Sequence, residues 1–169
     1  MFVLGIDPGL TRCGFGAVRR SGSGRSFEAV AAGVLETDPG DPIPKRLAQL
    51  AHELDALFDD LRPEVVVIER VFFQTNVRTA MSVAQASGLA LVAAASRDLP
   101  IVELTSNEVK LALTGYGAAT KAQVQAMVSQ RLGLPGPLSP PDAADALALA
   151  ITYLGTSPLL QAIAASGRK

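Results

Sequence analysis

A chain of 169 residues, 49% hydrophobic and with a net charge of −1, is long enough to bury the core of one domain. Its single cysteine, Cys13, excludes an internal disulfide and a cysteine-rich zinc site, and reads as a small buried hydrophobe. Met1 runs directly into an apolar segment, and the apolar stretch 80–95 is broken by Ser82, Gln85, Ser87 and Gly88, so we expect neither a signal peptide nor a membrane span, and a cytoplasmic location.

Residues 2–7 read as a buried strand, uncharged up to Asp7 and closed by the turn dipeptide Pro8-Gly9. Two further strands, 14–20 and 27–37, are joined by the flexible hairpin Ser21-Gly22-Ser23-Gly24. Leu47, Leu50, Leu54, Leu57 and Leu61 recur at helical spacing and predict a helix over 44–61. His52, the only histidine, falls off that stripe, which argues against a histidine-based mechanism. The fourth strand is 64–69 and the fifth is 101–104. Between them, 78–96 is a predicted helix that is apolar on nearly every face and rich in small residues. Such a helix needs cover on two sides, the sheet on one and a second subunit on the other.

Thr105 to Glu108 form a capping box for a short helix through Leu113, and Thr120 caps a helix over 121–132. Ser139-Pro140 begins a last helix that runs to 154. Residues 156–169 show no pattern and read as a flexible tail, leaving 1–155 as one domain. Three hairpin-linked strands followed by βαβ crossovers imply an α/β fold, a mixed five-stranded sheet with helices on both faces.

Four acids stand out in this layout. Asp7 and Glu69 end apolar strands, whereas Asp142 and Asp145 open the last helix. Neighbouring parallel strands lie ~4.8 Å apart, so Asp7 and Glu69 can share a site if the first and fourth strands are adjacent. Asp142 and Asp145, three apart, share one helix face near the favourable end of the dipole. Taken singly, each has an ordinary reading: a turn, a pair with Arg70, a helix start. Jointly, so many acids at strand ends and a helix start point to one carboxylate cluster. Burying carboxylates requires compensation, and no Lys, Arg or His is spaced in the sequence to serve all four; a divalent metal would.

The motifs that carry these acids resemble the RuvC family of Holliday junction resolvases. They are Ile6-Asp7-Pro8-Gly9 with Gly14-Phe15-Gly16, Ile68 to Phe73 with Asn76, Val109-Lys110 through Thr114 to Gly117, Lys121 to Val128, and Asp142-Ala143-Ala144-Asp145 through Ala148. The match runs in order over residues 2–153. The resemblance implies a ribonuclease-H-like fold, a homodimer, and cleavage of four-way DNA junctions with Mg²⁺ or Mn²⁺, two ions per site. A branch-migration complex is the further partner it suggests. It makes Asp7, Glu69, Asp142 and Asp145 both the metal ligands and the catalytic residues. Four carboxylates holding two hard ions can generate a hydroxide nucleophile and stabilise the leaving 3′-oxygen, giving 5′-phosphate and 3′-hydroxyl ends.

For DNA contacts the resemblance indicates Phe72, Phe73, Lys110 and Lys121. Phe72 corresponds to the wedge at the crossover, where a projecting ring can stack on an unpaired base, worth ~1–3 kcal/mol. Phe73 is left open between core and DNA. Lys121, at the first position of its helix, opposes the helix dipole and so suggests a phosphate nearby. Residues 70–135 hold 6 basic and 3 acidic side chains, against 7 and 11 in residues 1–69, so the basic surface is local. Ser87 departs from the family, where an arginine is common, and removes a cation from that helix. Competing readings are an actin- or sugar-kinase-like ATP-binding domain, which needs far more chain, and a non-catalytic junction-binding module or RNA-processing nuclease on the same fold. The intact acids argue against an inert binder.

Overall fold

The computed structural model describes residues 1–21, 26–70, 77–136 and 138–156. Its elements in chain order are β1 (Phe2–Asp7), β2 (Arg12–Arg20), β3 (Phe27–Glu36), α1 (Ile43–Leu61), β4 (Val65–Glu69), α2 (Val77–Ala95), β5 (Ile101–Leu104), α3 (Ser106–Thr114), α4 (Lys121–Leu132) and α5 (Pro141–Gly155). Five strands form one sheet in the order β3-β2-β1-β4-β5. The β1–β2 and β2–β3 pairs are antiparallel hairpin neighbours, and β1–β4 and β4–β5 are parallel. The expected mixed sheet is therefore present, with β1 and β4 adjacent.

Strand alternation divides the core into two layers. Val3, Val18, Val65, Val67 and Val102 face a layer built with Val109, Leu113, Val124, Val128, Leu147 and Ile151 of α3, α4 and α5. Leu4, Ile6, Cys13, Ala17, Val66 and Ile68 face the other layer, with Leu50, Leu54 and Phe58 of α1 and Ala86, Ala90 and Ala94 of α2. Helices thus cover both faces, which is why β1 and β4 carry uninterrupted apolar runs. Asp7 and Glu69 share the parity of Val3 and Val67, so both belong to the α5 face.

That face admits α5 unusually close. A Cβ placed on Gly5 would lie 2.0 Å from the Ala146 carbonyl oxygen, one on Gly14 2.2 Å from the Asp142 oxygen, and one on Gly16 2.6 Å from the Leu147 nitrogen. These strand glycines are therefore required by contact, letting the α5 backbone lie on β1 and β2. The opening turn of α5 is brought to the carboxyl end of β1 by the same contacts.

Local signals account for the rest. Thr105 and Glu108 form the expected capping box, and Thr120 forms a second with Gln123. β2 starts at Arg12, two residues earlier than the apolar pattern indicated, because Arg12 pairs across to Glu36. Arg46 is a buried charged residue on α1, donating to Thr37 Oγ1 at 2.9 Å and Thr11 Oγ1 at 2.7 Å. Thr37 in turn donates to the Leu10 carbonyl at 2.6 Å, so the loop after Asp7 is anchored by a hydrogen-bonded network.

Cys13 is fully buried and its thiol is pushed up to about 12 by burial, as befits a core residue. His52 is exposed, as its place off the leucine stripe requires. The two-sided cover expected for α2 is not present within one chain: Ala86, Ala90, Ala93 and Ala94 are buried, but Met81 and Val92 are exposed. Among the described residues no helix is long and apolar enough to cross a membrane. Phe72, Phe73, most of the Ser21–Gly24 hairpin and the tail beyond Thr156 lie outside the described residues.

Candidate active site

Parallel pairing of β1 with β4 sets Ile6 opposite Ile68, so the next residues, Asp7 and Glu69, emerge side by side at the carboxyl end of the sheet. The two carboxyl groups are close enough to repel each other as charges and to share a proton when one is protonated. The Asp7 carboxyl is pushed up to about 8, first by burial, then by the hydrogen bond and charge of Glu69, then by the charges of Asp145 and Asp142. All four sequence-derived acids therefore lie within electrostatic reach of one another.

The two acids on α5 are held differently. Arg12 Nε donates to Asp142 Oδ2 at 2.9 Å, and Lys121 Nζ donates to Asp145 Oδ2 at 2.5 Å. The hydrogen bond to Asp142 is the main reason the Arg12 pKa is raised, and that to Asp145 does the same for Lys121, assisted by the charges of Asp145, Asp142 and Asp7. Two cations thus stand at the cluster, although no cation was spaced in sequence to serve it. They arrive from 130 and 24 residues away, a separation that sequence proximity cannot reveal. The cation at the start of α4, unfavourable to the helix dipole, is compensated by the Asp145 carboxylate.

Glu69, Asp145, Lys110 and Lys121 border a cleft of about 230 Å³ whose apolar wall includes Val109 and Leu149. Ser106, in the first turn of α3, also opens onto it. Lys110 and Lys121 therefore line the same cleft as Glu69 and Asp145. Among the described residues no group of three or more His, Cys, Asp and Glu side chains is arranged to hold a metal ion, and Asp142 and Asp145 are each paired with a cation. The donor set nevertheless fits a hard divalent ion. It is all oxygen, partly buried, and a metal ion's charge would offset the burial and neighbouring negative charges that push the Asp7 carboxyl up.

A mixed sheet of this order, backed by a helix lying on strand glycines and carrying acids at the parallel strand ends, defines a ribonuclease-H-like α/β fold. The comparisons narrow that class. The family description "Crossover junction endodeoxyribonuclease RuvC" matches residues 3–153. A crossover junction endodeoxyribonuclease RuvC of Salinispora arenicola is 51% identical over 172 aligned residues, covering 100% of this chain and 98% of that one. The solved structure of Thermus thermophilus RuvC in complex with a Holliday junction substrate superposes with a TM-score of 0.87 at 34% identity, covering 95% of this chain and 97% of its own. The yeast mitochondrial Holliday junction resolvase Ydc2 shares the fold at 15% identity, with a TM-score of 0.64 over 90% of this chain and 78% of its own. The chain belongs to the RuvC family of crossover junction endodeoxyribonucleases. It is an enzyme that resolves Holliday junctions.

Proposed function

We propose that residues 1–155 form a cytoplasmic nuclease unit, active as a homodimer, that nicks four-way DNA junctions in recombination and repair. Asp7, Glu69, Asp142 and Asp145 hold Mg²⁺ or Mn²⁺, two ions per site. The observation that carries this reading is the Asp7–Glu69 pair, which needs a proton or a cation to exist and lies beside a lysine-bordered cleft. When bound, such ions acidify water and stabilise the leaving 3′-oxygen, chemistry that gives 5′-phosphate and 3′-hydroxyl ends.

The chain's own groups do the rest. Lys110 and Lys121 bind the DNA backbone near the scissile phosphate, and Phe72 is the wedge at the crossover that stacks on an unpaired base, with Phe73 serving either DNA or the core. Val109 and Leu149 supply an apolar part of the cleft wall. A homodimer suits this task because the two-fold symmetry of a pair matches that of a four-way junction. A branch-migration complex is the partner that would present such junctions.

Asp7→Asn tests the assignment. The variant should bind an immobile four-way junction as wild type does in a gel-shift assay, while cleavage on a denaturing gel falls to background. Asp142→Asn should behave alike, with partial recovery in Mn²⁺ if weaker coordination is the defect. Normal cutting by Asp7→Asn, with binding lost, would refute the metal-ligand role.

A further inference from the structure

Arg12 stands at the carboxylate cluster, yet no part of the proposed chemistry has required it. Its guanidinium spans two acids from different elements, Glu36 at the end of β3 and Asp142 in the first turn of α5. We propose that Arg12, itself held by Glu36, is a positioning residue that fixes the Asp142 carboxylate in the orientation the divalent-ion site needs. The inference rests on reading the four acids as a metal centre.

Both ends of the Arg12–Asp142 bond start from fixed backbone. On one side, Arg12 is in register with Glu36 across the β2–β3 ladder, and the preceding Thr11 is held twice, by Arg46 through its hydroxyl and by the Thr37 amide at its carbonyl, 3.1 Å away. On the other side, the Asp142 carbonyl oxygen lies where a Cβ on Gly14 would be, so the opening turn of α5 has no room to shift towards β2. With both backbones set, the remaining freedom at Asp142 is the rotation of its side chain. The Arg12 bond removes that freedom by taking one oxygen, Oδ2, and it leaves the carboxylate a second oxygen for an ion.

The planar fork explains why arginine occupies the position. Nε and Nη1 point to different carboxylates at once, which a lysine ammonium on a flexible stem cannot do with the same fixed geometry. The alternative is an exposed ion pair of little consequence, which would affect neither the ion nor its affinity. Lys121 offers a contrast at the other α5 acid. Its one carboxylate partner among the described residues is Asp145, whereas Arg12 bridges two acids. Arg12 is therefore the cation built to stay in place.

The test uses full-length protein and Mn²⁺ alone, with affinity read by calorimetry and by the Mn²⁺-induced rise in melting temperature, without DNA. Arg12→Ala should weaken Mn²⁺ binding about tenfold or more, in the range typical of lost partners of metal-ligating side chains. Arg12→Lys should restore part of the loss, and Glu36→Gln should shift affinity in the same direction by less. The Mn²⁺ concentration giving half-maximal junction cleavage should move by matching factors. Mn²⁺ affinity in Arg12→Ala equal to or above wild type overturns the proposal, because an idle surface pair or a repelling charge would give those results. If Arg12→Ala does not fold, the two milder variants decide: wild-type affinity in both overturns it as well. Asp142→Asn separates the two levels of inference. Should it bind Mn²⁺ like wild type, the metal-centre reading fails and takes this one with it; should it be impaired while Arg12→Ala is not, only the Arg12 role is lost.

Discussion

Asp7 lies beside Glu69 in a setting that does not tolerate two negative charges. The Asp7 carboxyl rises from 3.8 to about 8 on folding, chiefly by burial. A carboxyl whose folded pKa is raised contributes stability that is fully present below the unfolded pKa and is lost as pH rises through the folded one. Metal-free protein should therefore lose stability progressively from about pH 4 to about pH 8. Mg²⁺ should raise the melting temperature more at pH 8.5 than at pH 6, because at the lower pH a proton already occupies the pair. Asp7→Asn gives the control: its amide can donate to Glu69 without titrating, so the fall towards alkaline pH should flatten. A wild-type melting temperature that stays constant across this range in chelator would contradict the shared proton. The acids themselves were legible in sequence, since each interrupts an apolar pattern. Arg12 was not, because its partner on α5 lies 130 residues away and only the packing of that helix brings them together.

At the level of elements, α2 poses the question that one chain does not answer. Met81 and Val92 are 58% and 64% exposed, and they lie about three turns apart on one stripe that also includes Ala84, Gly88 and Ala95. The opposite stripe, Ala86, Ala90, Ala93 and Ala94, is buried against the sheet and α1. Val92→Glu should therefore leave the fold intact and abolish the proposed homodimer, whereas Ala90→Glu should unfold the chain by placing a charge in the core. Light scattering with thermal melts separates the two outcomes, and a Val92→Glu protein that remains a dimer would remove α2 from the interface. Apolar runs and the leucine stripe revealed the strands and α1, and start signals revealed α3, α4 and α5, because both are local properties. They did not reveal which α2 stripe the sheet takes, since an all-round apolar helix has no polar face to mark the outside. Nor could they show the close seat of α5: Gly5, Gly14 and Gly16 look like weak strand residues until the helix backbone is laid against them.

For the molecule as a whole, charge and symmetry bear on the same act. The net charge of −1 conceals a basic stretch, residues 70–135, and two of its lysines border the cleft beside the acids. In the proposed reading these two lysines place phosphate attraction beside the acids. Among the described residues each chain contains one such carboxylate cluster, so one chain would make one nick at a time, and resolving a four-way junction needs two nicks at symmetry-related strands. A homodimer supplies both sites in one encounter. Mixed dimers of wild-type and Asp7→Asn chains, isolated through two different tags, should therefore nick a cruciform in supercoiled plasmid once and release an open circle. Wild-type dimers should yield mainly linear DNA from the same substrate, because relaxation after a single nick collapses the cruciform unless the second cut follows before dissociation. Linear product from mixed dimers at the wild-type rate, with subunit exchange excluded by re-analysis of the tags, would show that one site serves both strands. The dimer would then be needed for holding the junction rather than for pairing the cuts.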